Sequence, residues 1–463
     1  MEWRVDARHA HLPSERRMRA LEGEPLPANV GALLASAALR HGERAALVFF
    51  DDGETITYRE LASRAALAAG ALRRLGVGAG VHVGLMLPTS SAYPVLWLAL
   101  LSLGAVTVPI NHGYTARELH YALTDSDAAY LVIGAEHVPV LESVEGWDRL
   151  VPRNHVVIVG GARDDRFHRW EGLVASAEPA DPPASAVVPD DLANIQYTSG
   201  TTGWPKGALL THRYWLTFSK VAAAQIDNRF ERILIAQPFY YVDAQWMFLM
   251  ALWRGAAAYV ARRQSASRFR SWLHQHRINY CNLPEVVAKQ PEEPIDRELE
   301  LTVAYAYGHR RESYAPIERR FRALAREGFA MTEIGFGTYL PIESAEKVGS
   351  GSCGIPTAFR EVKIVDEAGR PTTVGEVGEL WVTGPGILLG YYAKPEATAA
   401  ALTDGWFHTG DLFREDRDGF YYLVGRMKEI VRRSGENVSA REVEAVLKAL
   451  PEVLEAAVVP VPD

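Results

Sequence analysis

Two textures of hydrophobic patterning alternate along most of the chain. Short continuous apolar runs, ERAALVFF, AAYLVIG and HVVIV, have the character of strands buried on both faces. Between them lie stretches whose apolar positions return every three or four residues, such as YRELASRAALAAGALRRLG and ELHYALTD, the period of a helix with one face on a core. Thr57 with Glu60, and Thr115 with Glu118, have the spacing of a capping box at the start of each of these helices. Gly76 can close the first of them. Further on, DAQWMFLMALW reads as a helix leading into AAAYVA, and SRFRSWLHQH as one leading into INYCNLP. Strand–helix alternation of this kind predicts parallel sheets covered by helices.

The segment from Val83 to His112 contains no Asp, Glu, Lys or Arg and imitates a membrane span. Pro88, Pro94, Gly104 and Pro109 interrupt it. It therefore reads as VHVGLMLP (strand), SAYPVLWLALLSLG (buried helix) and AVTVPI (strand), a soluble βαβ unit with no membrane span.

After about Gly349 the texture changes. REVKIVDEAG, GEVGELWVTG and GFYYLVGR are short strands between Gly- and Asp-rich turns, the pattern of a small antiparallel unit. From Met427 another unit begins. Ser439 and Glu442 have capping-box spacing, and Val443, Val446, Leu447 and Leu450 form a helical stripe before Pro451. EAAVVPVPD then reads as a strand. One helix and one or two strands bury too little to stand alone, so this last unit is expected to be incomplete.

Composition narrows the function classes. A chain of 463 residues exceeds one compact core. Its 48% hydrophobic and 23% charged residues are ordinary for a globular protein. A net charge of −8 argues against a nucleic-acid partner, which calls for a basic face. The two cysteines, Cys281 and Cys353, are far apart, and the first twenty residues have no apolar core. A reducing compartment, the cytoplasm, is expected.

The most informative stretch is YTSGTTGWPKG, Tyr197 to Gly207. Glycines let backbone N–H groups turn toward one point, and hydroxyls and a lysine add donors, a set suited to a polyphosphate. It is not a Walker loop, because Pro205 precedes Lys206 and no Gly-Lys-Ser/Thr follows four spacer residues.

YTSGTTGWPKG resembles the phosphate loop of the acyl-adenylate-forming (AMP-binding) enzymes, which include acyl-CoA synthetases, peptide-synthetase adenylation domains and luciferases. The likeness runs along nearly the whole chain. LGAVTVPINHGYTARELHYALTDSDAAYLV resembles the family's early βαβ region, FAMTEIG its Tyr-Gly-x-Thr-Glu motif, GELWVTGPGILLGYYAKPEATAAALTDGWFHTGDL its late β region, and GRMKEIVRRSGENVSAREVE its hinge. The resemblance implies an α/β fold: a large domain over residues 1–426, with two doubly wound sheets to about residue 348 and a small β-barrel-like subdomain over about 349–426. A small mobile α+β domain would start at 427–463.

It also implies roles. Thr198, Ser199, Gly200, Thr201, Thr202, Gly203 and Lys206 would cradle the β- and γ-phosphates of ATP. Thr332 would bond the α-phosphate, and Glu333 would hold Mg²⁺ against it. Asp411 would accept the ribose hydroxyls. Arg426 would meet the nucleotide at the domain junction, and Lys428 would be the pivot. Phe329 would stack on adenine, with Gly308, Ala330 and Met331 completing the nucleotide wall. Tyr240, Tyr241, Gln245 and Gly335 would line the acid pocket. Lys206, Thr332, Glu333 and Arg426 would be the catalytic set. The implied reaction joins a medium-sized carboxylic acid to coenzyme A through an acyl-adenylate.

Departures from the family pattern leave alternatives open. The stretch QPFYYVDAQW has Tyr240 and Tyr241 where relatives often have an aromatic-histidine pair. The small-residue nucleotide segment has become AYGHRRE, which retains Gly308, and the motif glycine is Ala330. The family's C-terminal lysine lies beyond residue 463, and the expectation is a chain that stops within its small domain. PFYYVDAQWMF resembles ligases of medium-sized and carnitine-like acids. The alternatives are an enzyme performing one half-reaction and a nucleotide-binding relative without turnover; a homodimer is left open.

Overall fold

The computed structural model describes residues 8–161, 165–180, 186–198, 204–226, 230–433 and 436–439, and within 443–459 residues 443, 444, 446, 447, 450, 453 and 456–459. Ser199, Gly200, Thr201, Thr202 and Gly203 of the glycine–threonine loop and Glu442 of the last capping box lie outside the described residues.

A seven-stranded sheet runs in the order His168–Arg169, Val156–Val159, Tyr130–Gly134, His82–Met86, Val106–Pro109, Leu192–Thr198, Lys206–Thr211. All neighbours are parallel except the last pair. The charge-free segment 83–112 is its centre: two adjacent parallel strands joined by the helix Ala92–Ser102. That helix is apolar all round because residues Tyr93 to Leu101 are all buried, against the helices Val30–His41 and Tyr58–Arg74 among others. Trp97 anchors it, edge-on to Trp215 at 5.3 Å, with its indole N–H donated to Asn194 Oδ1. Removing that ring would cost roughly 3–5 kcal/mol. Among the described residues no helix is long and apolar enough to cross a membrane. Both capping boxes form as the spacing predicts, at Thr57/Glu60 and Thr115/Glu118.

A six-stranded sheet has the order Val303–Tyr305, Tyr280–Asn282, Arg232–Ile235, Ala257–Val260, Ala45–Phe49, Glu54–Thr57, parallel except for its last pair. The chain leaves Arg232–Ile235, turns through Pro238–Tyr241 and enters the helix Val242–Arg254. It leaves Val303–Tyr305 into Tyr307, Gly308 and His309. Both exits lie at carboxyl ends of parallel strands, where open α/β sheets bind ligands.

The third sheet is antiparallel, in the order Gly328–Met331, Gly335–Tyr339, Ser352–Pro356, Tyr421–Arg426, Trp406–Glu415, Gly378–Thr383, Glu361–Val365. It starts ahead of the change of texture read at Gly349. The strand Gly335–Tyr339 is buried at every position, so it shows no polar–apolar alternation to announce an antiparallel strand. One continuous core extends through all three sheets, from Met18 to Tyr421. Past Arg426 come a short 3-10 turn at Met427–Glu429 and a hairpin of Ile430–Arg433 with Glu436–Ser439. Val446, Leu447 and Leu450 are exposed, and 456–459 form no strand, unlike the pattern read from EAAVVPVPD.

Candidate active site

A cavity of about 1600 Å³ opens where the three sheets meet. Thr198 and Lys206 lie opposite each other at the ends of two antiparallel strands, and the glycine–threonine loop joins them. The Lys206 ammonium lies 4.3 Å from the centre of the Tyr391 ring. The Tyr391 hydroxyl donates to Glu333 Oε1 at 2.9 Å. Glu333 is only 8% exposed. Burial raises its pKa, opposed by the Tyr391 hydrogen bond and the charges of Lys206 and Arg426. A buried carboxyl raised in this way gains from a bound cation.

Thr198, Lys206, Tyr241, Gly308, Phe329, Ala330, Met331, Thr332, Glu333, Arg426 and Lys428 all line this cavity. Gly308 has φ +67°, a conformation that favours glycine, and a side chain there would meet open space. Strand alternation places Ala330 outward, whereas Phe329 is 8% exposed with its ring edge-on to Phe413 at 5.0 Å. The ring expected to stack on adenine is thus largely committed to the core.

Four expected residues are placed elsewhere. Gln245 is fully buried and away from the cavity. Its helix turns Val242, Asp243 and Trp246 to the cavity instead, which leaves position 245 on the core side. Tyr240 packs edge-on against His112 at 5.4 Å, and its carbonyl accepts from Gln196 Nε2. Gly335 has φ +66°, and a Cβ there would lie 3.1 Å from the Phe218 ring, so it serves the turn and the packing rather than the pocket. Asp411 is 2% exposed, behind the wall formed by His408, Thr409 and Gly410, and its Oδ1 accepts from Arg426 Nε at 3.0 Å.

Several wall residues escape the sequence reading. Phe218, Trp246, Tyr307 and Phe336 form an aromatic end of the cavity, and Asp243 lies among them. Asp243 Oδ1 accepts from the Trp246 indole N–H at 3.0 Å, and burial raises its pKa with no opposing charge. In the sequence it reads as an ordinary acidic residue in a first helical turn. Tyr391 lies within the late motif GYYAKPEAT, yet nothing in the sequence joins it to Glu333.

A cavity this large accommodates a nucleotide together with an acid. No cluster of three or more His, Cys, Asp or Glu suited to a metal occurs among the described residues. A single carboxylate such as Glu333 suits a hard cation that takes its other ligands from phosphate and water.

Residues 34–392 match the model of the AMP-binding enzyme family. The chain is 32% identical over 442 residues to a feruloyl-CoA synthase of Amycolatopsis sp, covering 92% of this chain and 83% of that one. It is 30% identical over 443 residues to the sulfoacetate–CoA ligase of Cupriavidus necator, covering 94% and 85%. The structure of a benzoate CoA ligase from Burkholderia xenovorans superimposes with a TM-score of 0.80 at 26% identity, over 93% of this chain and 86% of that one. The chain belongs to the AMP-binding enzyme family, as an acyl-CoA synthetase that uses ATP to activate a carboxylic acid as its acyl-adenylate and then forms the coenzyme A thioester.

Proposed function

We propose that the cavity divides into a phosphate end at Lys206, Thr332, Glu333 and Arg426 and an acid end at Tyr241, Asp243, Trp246 and Tyr307, and that it takes a mid-sized acid. The observation that supports this most directly is that one continuous cavity wall carries both sets. Fused sheets hold them at fixed separation, so an acid carboxylate and the α-phosphate are brought together without further ordering.

In the first half-reaction a carboxylate oxygen attacks the α-phosphorus, and the bond to the departing pyrophosphate breaks. Lys206 offsets the charge that develops on pyrophosphate, and the Thr332 hydroxyl donates to an oxygen of the α-phosphate. Glu333 is the group suited to hold Mg²⁺, which when bound would neutralise phosphate charge. In the second half-reaction the thiol of coenzyme A gives up its proton to solvent, its sulfur attacks the acyl carbonyl, and AMP leaves with the bonding electrons. None of these steps needs a side-chain nucleophile. Both cysteines are buried and neither forms a disulfide, which suits a cytoplasmic protein.

The aromatic end sets the acid. Rings at Phe218, Trp246, Tyr307 and Phe336 provide apolar contact, and Asp243 provides one polar contact. The test is pyrophosphate exchange with acids of increasing length, run alongside loss of free coenzyme A thiol. Mid-sized acids are expected to be best in both assays. Exchange without thiol loss would replace this reading with a single half-reaction.

A further inference from the structure

Tyr391 sits where three pieces of the site are tied together. Its segment is sewn to the strand of Lys206: Leu209 N–H donates to Gly390 O, Leu389 N–H to Leu209 O, and Tyr392 N–H to Gly207 O, at 2.8–2.9 Å. Tyr391 itself bridges to Ala208. The same segment is tied to the Thr332–Glu333 turn, because Leu388 N–H donates to Glu333 O at 2.7 Å. Behind both lies Arg360, 3% exposed, whose guanidinium donates to the carbonyls of Ile334, Pro385 and Gly386. Arg360 thus staples the turn after Glu333 to the segment before Tyr391. Burial pushes its pKa down to about 10, and its bonds run to carbonyl oxygens.

On this frame one side chain touches both charged groups of the phosphate end. The ring of Tyr391 lies under the Lys206 ammonium at 4.3 Å, a cation–π contact. Its hydroxyl donates to Glu333 Oε1 at 2.9 Å. We propose that Tyr391 is the positioning residue that couples Lys206 to Glu333, holding the pyrophosphate-side cation and the metal-side carboxylate as one preformed unit. The inference rests on the reading of Glu333 as the cation ligand. With Oε1 committed to the phenol, the carboxylate is fixed in rotamer and meets a cation without further ordering. The ring fixes the ammonium separately, so the hydroxyl and the ring have separable effects.

The experiment compares Tyr391→Phe, Tyr391→Leu, Glu333→Gln and the double variant Tyr391→Phe/Glu333→Gln. Binding of Mn²⁺ in the presence of a non-hydrolysable ATP analogue is read by electron paramagnetic resonance, and the KM for pyrophosphate by exchange. Tyr391→Phe keeps the ring and loses one hydrogen bond to a charged group, so Mn²⁺ affinity should fall roughly 10-fold with pyrophosphate KM unchanged. Tyr391→Leu should also raise pyrophosphate KM. In the Glu333→Gln background, Tyr391→Phe should add almost nothing to the loss of Mn²⁺ affinity, because the carboxylate that the phenol positions for the cation is gone. An undiminished loss in that background, or unaltered Mn²⁺ affinity in Tyr391→Phe while Glu333→Gln weakens it, would overturn the coupling. Unaltered Mn²⁺ affinity in Glu333→Gln would instead overturn the reading of Glu333 on which the coupling rests.

Discussion

Arg426 and Asp411 are register partners on adjacent antiparallel strands, and the Arg426 Nε–H donates to Asp411 Oδ1 at 3.0 Å. Two residues expected to meet the nucleotide therefore meet each other. Arg426 stands at the cavity wall, and Asp411 lies behind it. Were Asp411 to take the ribose, as the family resemblance implies, the Arg426 guanidinium would have to turn away from its carboxylate. The expected signature is discrimination against 2′-deoxy-ATP of roughly 10-fold in KM, lost in Asp411→Asn. Equal discrimination in both proteins would remove Asp411 from the ribose site.

Lys206 has little structural duty beyond its contact with Tyr391. Lys206→Ala should leave stability within about 0.5 kcal/mol of the parent. Pyrophosphate exchange should slow by roughly 100-fold, because the charge on the departing group is no longer offset. Thermal melting and exchange on the same preparation check both halves. A large fall in melting temperature with normal exchange would refute the assignment.

Tyr241 is 50% exposed on the cavity, and Asp243 lines the end of it proposed for the acid. Tyr241→Ala should extend the range of acids accepted toward longer ones. Asp243→Asn should reorder preference between acids with polar and with hydrocarbon ends. Neither should change the KM for ATP. Collapse of ATP binding with an unmoved acid preference would put these residues at the wrong end of the cavity.

His212 gives the fold a pH dependence of defined sign. The ring is fully buried, its Nδ1 accepts from Val30 N–H at 3.3 Å, and burial pushes its pKa down to about 4. In the unfolded chain the group titrates near 6.5. Below that value the unfolded state binds the proton that the folded state refuses, so stability falls as pH drops from about 6.5 toward 4. The loss attributable to His212 is roughly 3 kcal/mol across the window. Urea midpoints should fall over this range in the parent and fall less in His212→Gln. An identical slope in both would assign the acid sensitivity elsewhere.

Local chemistry made much of the fold legible. The boxes at Thr57/Glu60 and Thr115/Glu118 form because capping is settled within one helical turn. The βαβ reading of 83–112 holds because proline and glycine punctuate an apolar run wherever the chain must turn. The start of the antiparallel sheet at Gly328 was not legible. Its second strand is buried on both faces, and burial on the second face comes from elements distant in sequence.

The site divides the same way. The ordered motifs by themselves determined the family and hence the reaction, since they carry the phosphate-binding residue types in an order seldom met by chance. They could not say which side chains reach the cavity. Gln245 and Asp243 are two residues apart, yet helical rotation sends one to the core and the other to the wall. Asp411 and Arg426 become partners only through strand register. Tyr391 reaches Glu333 across a sequence separation of 58. Strand pairing and close packing decide such contacts, and both depend on the whole chain rather than on any window of it.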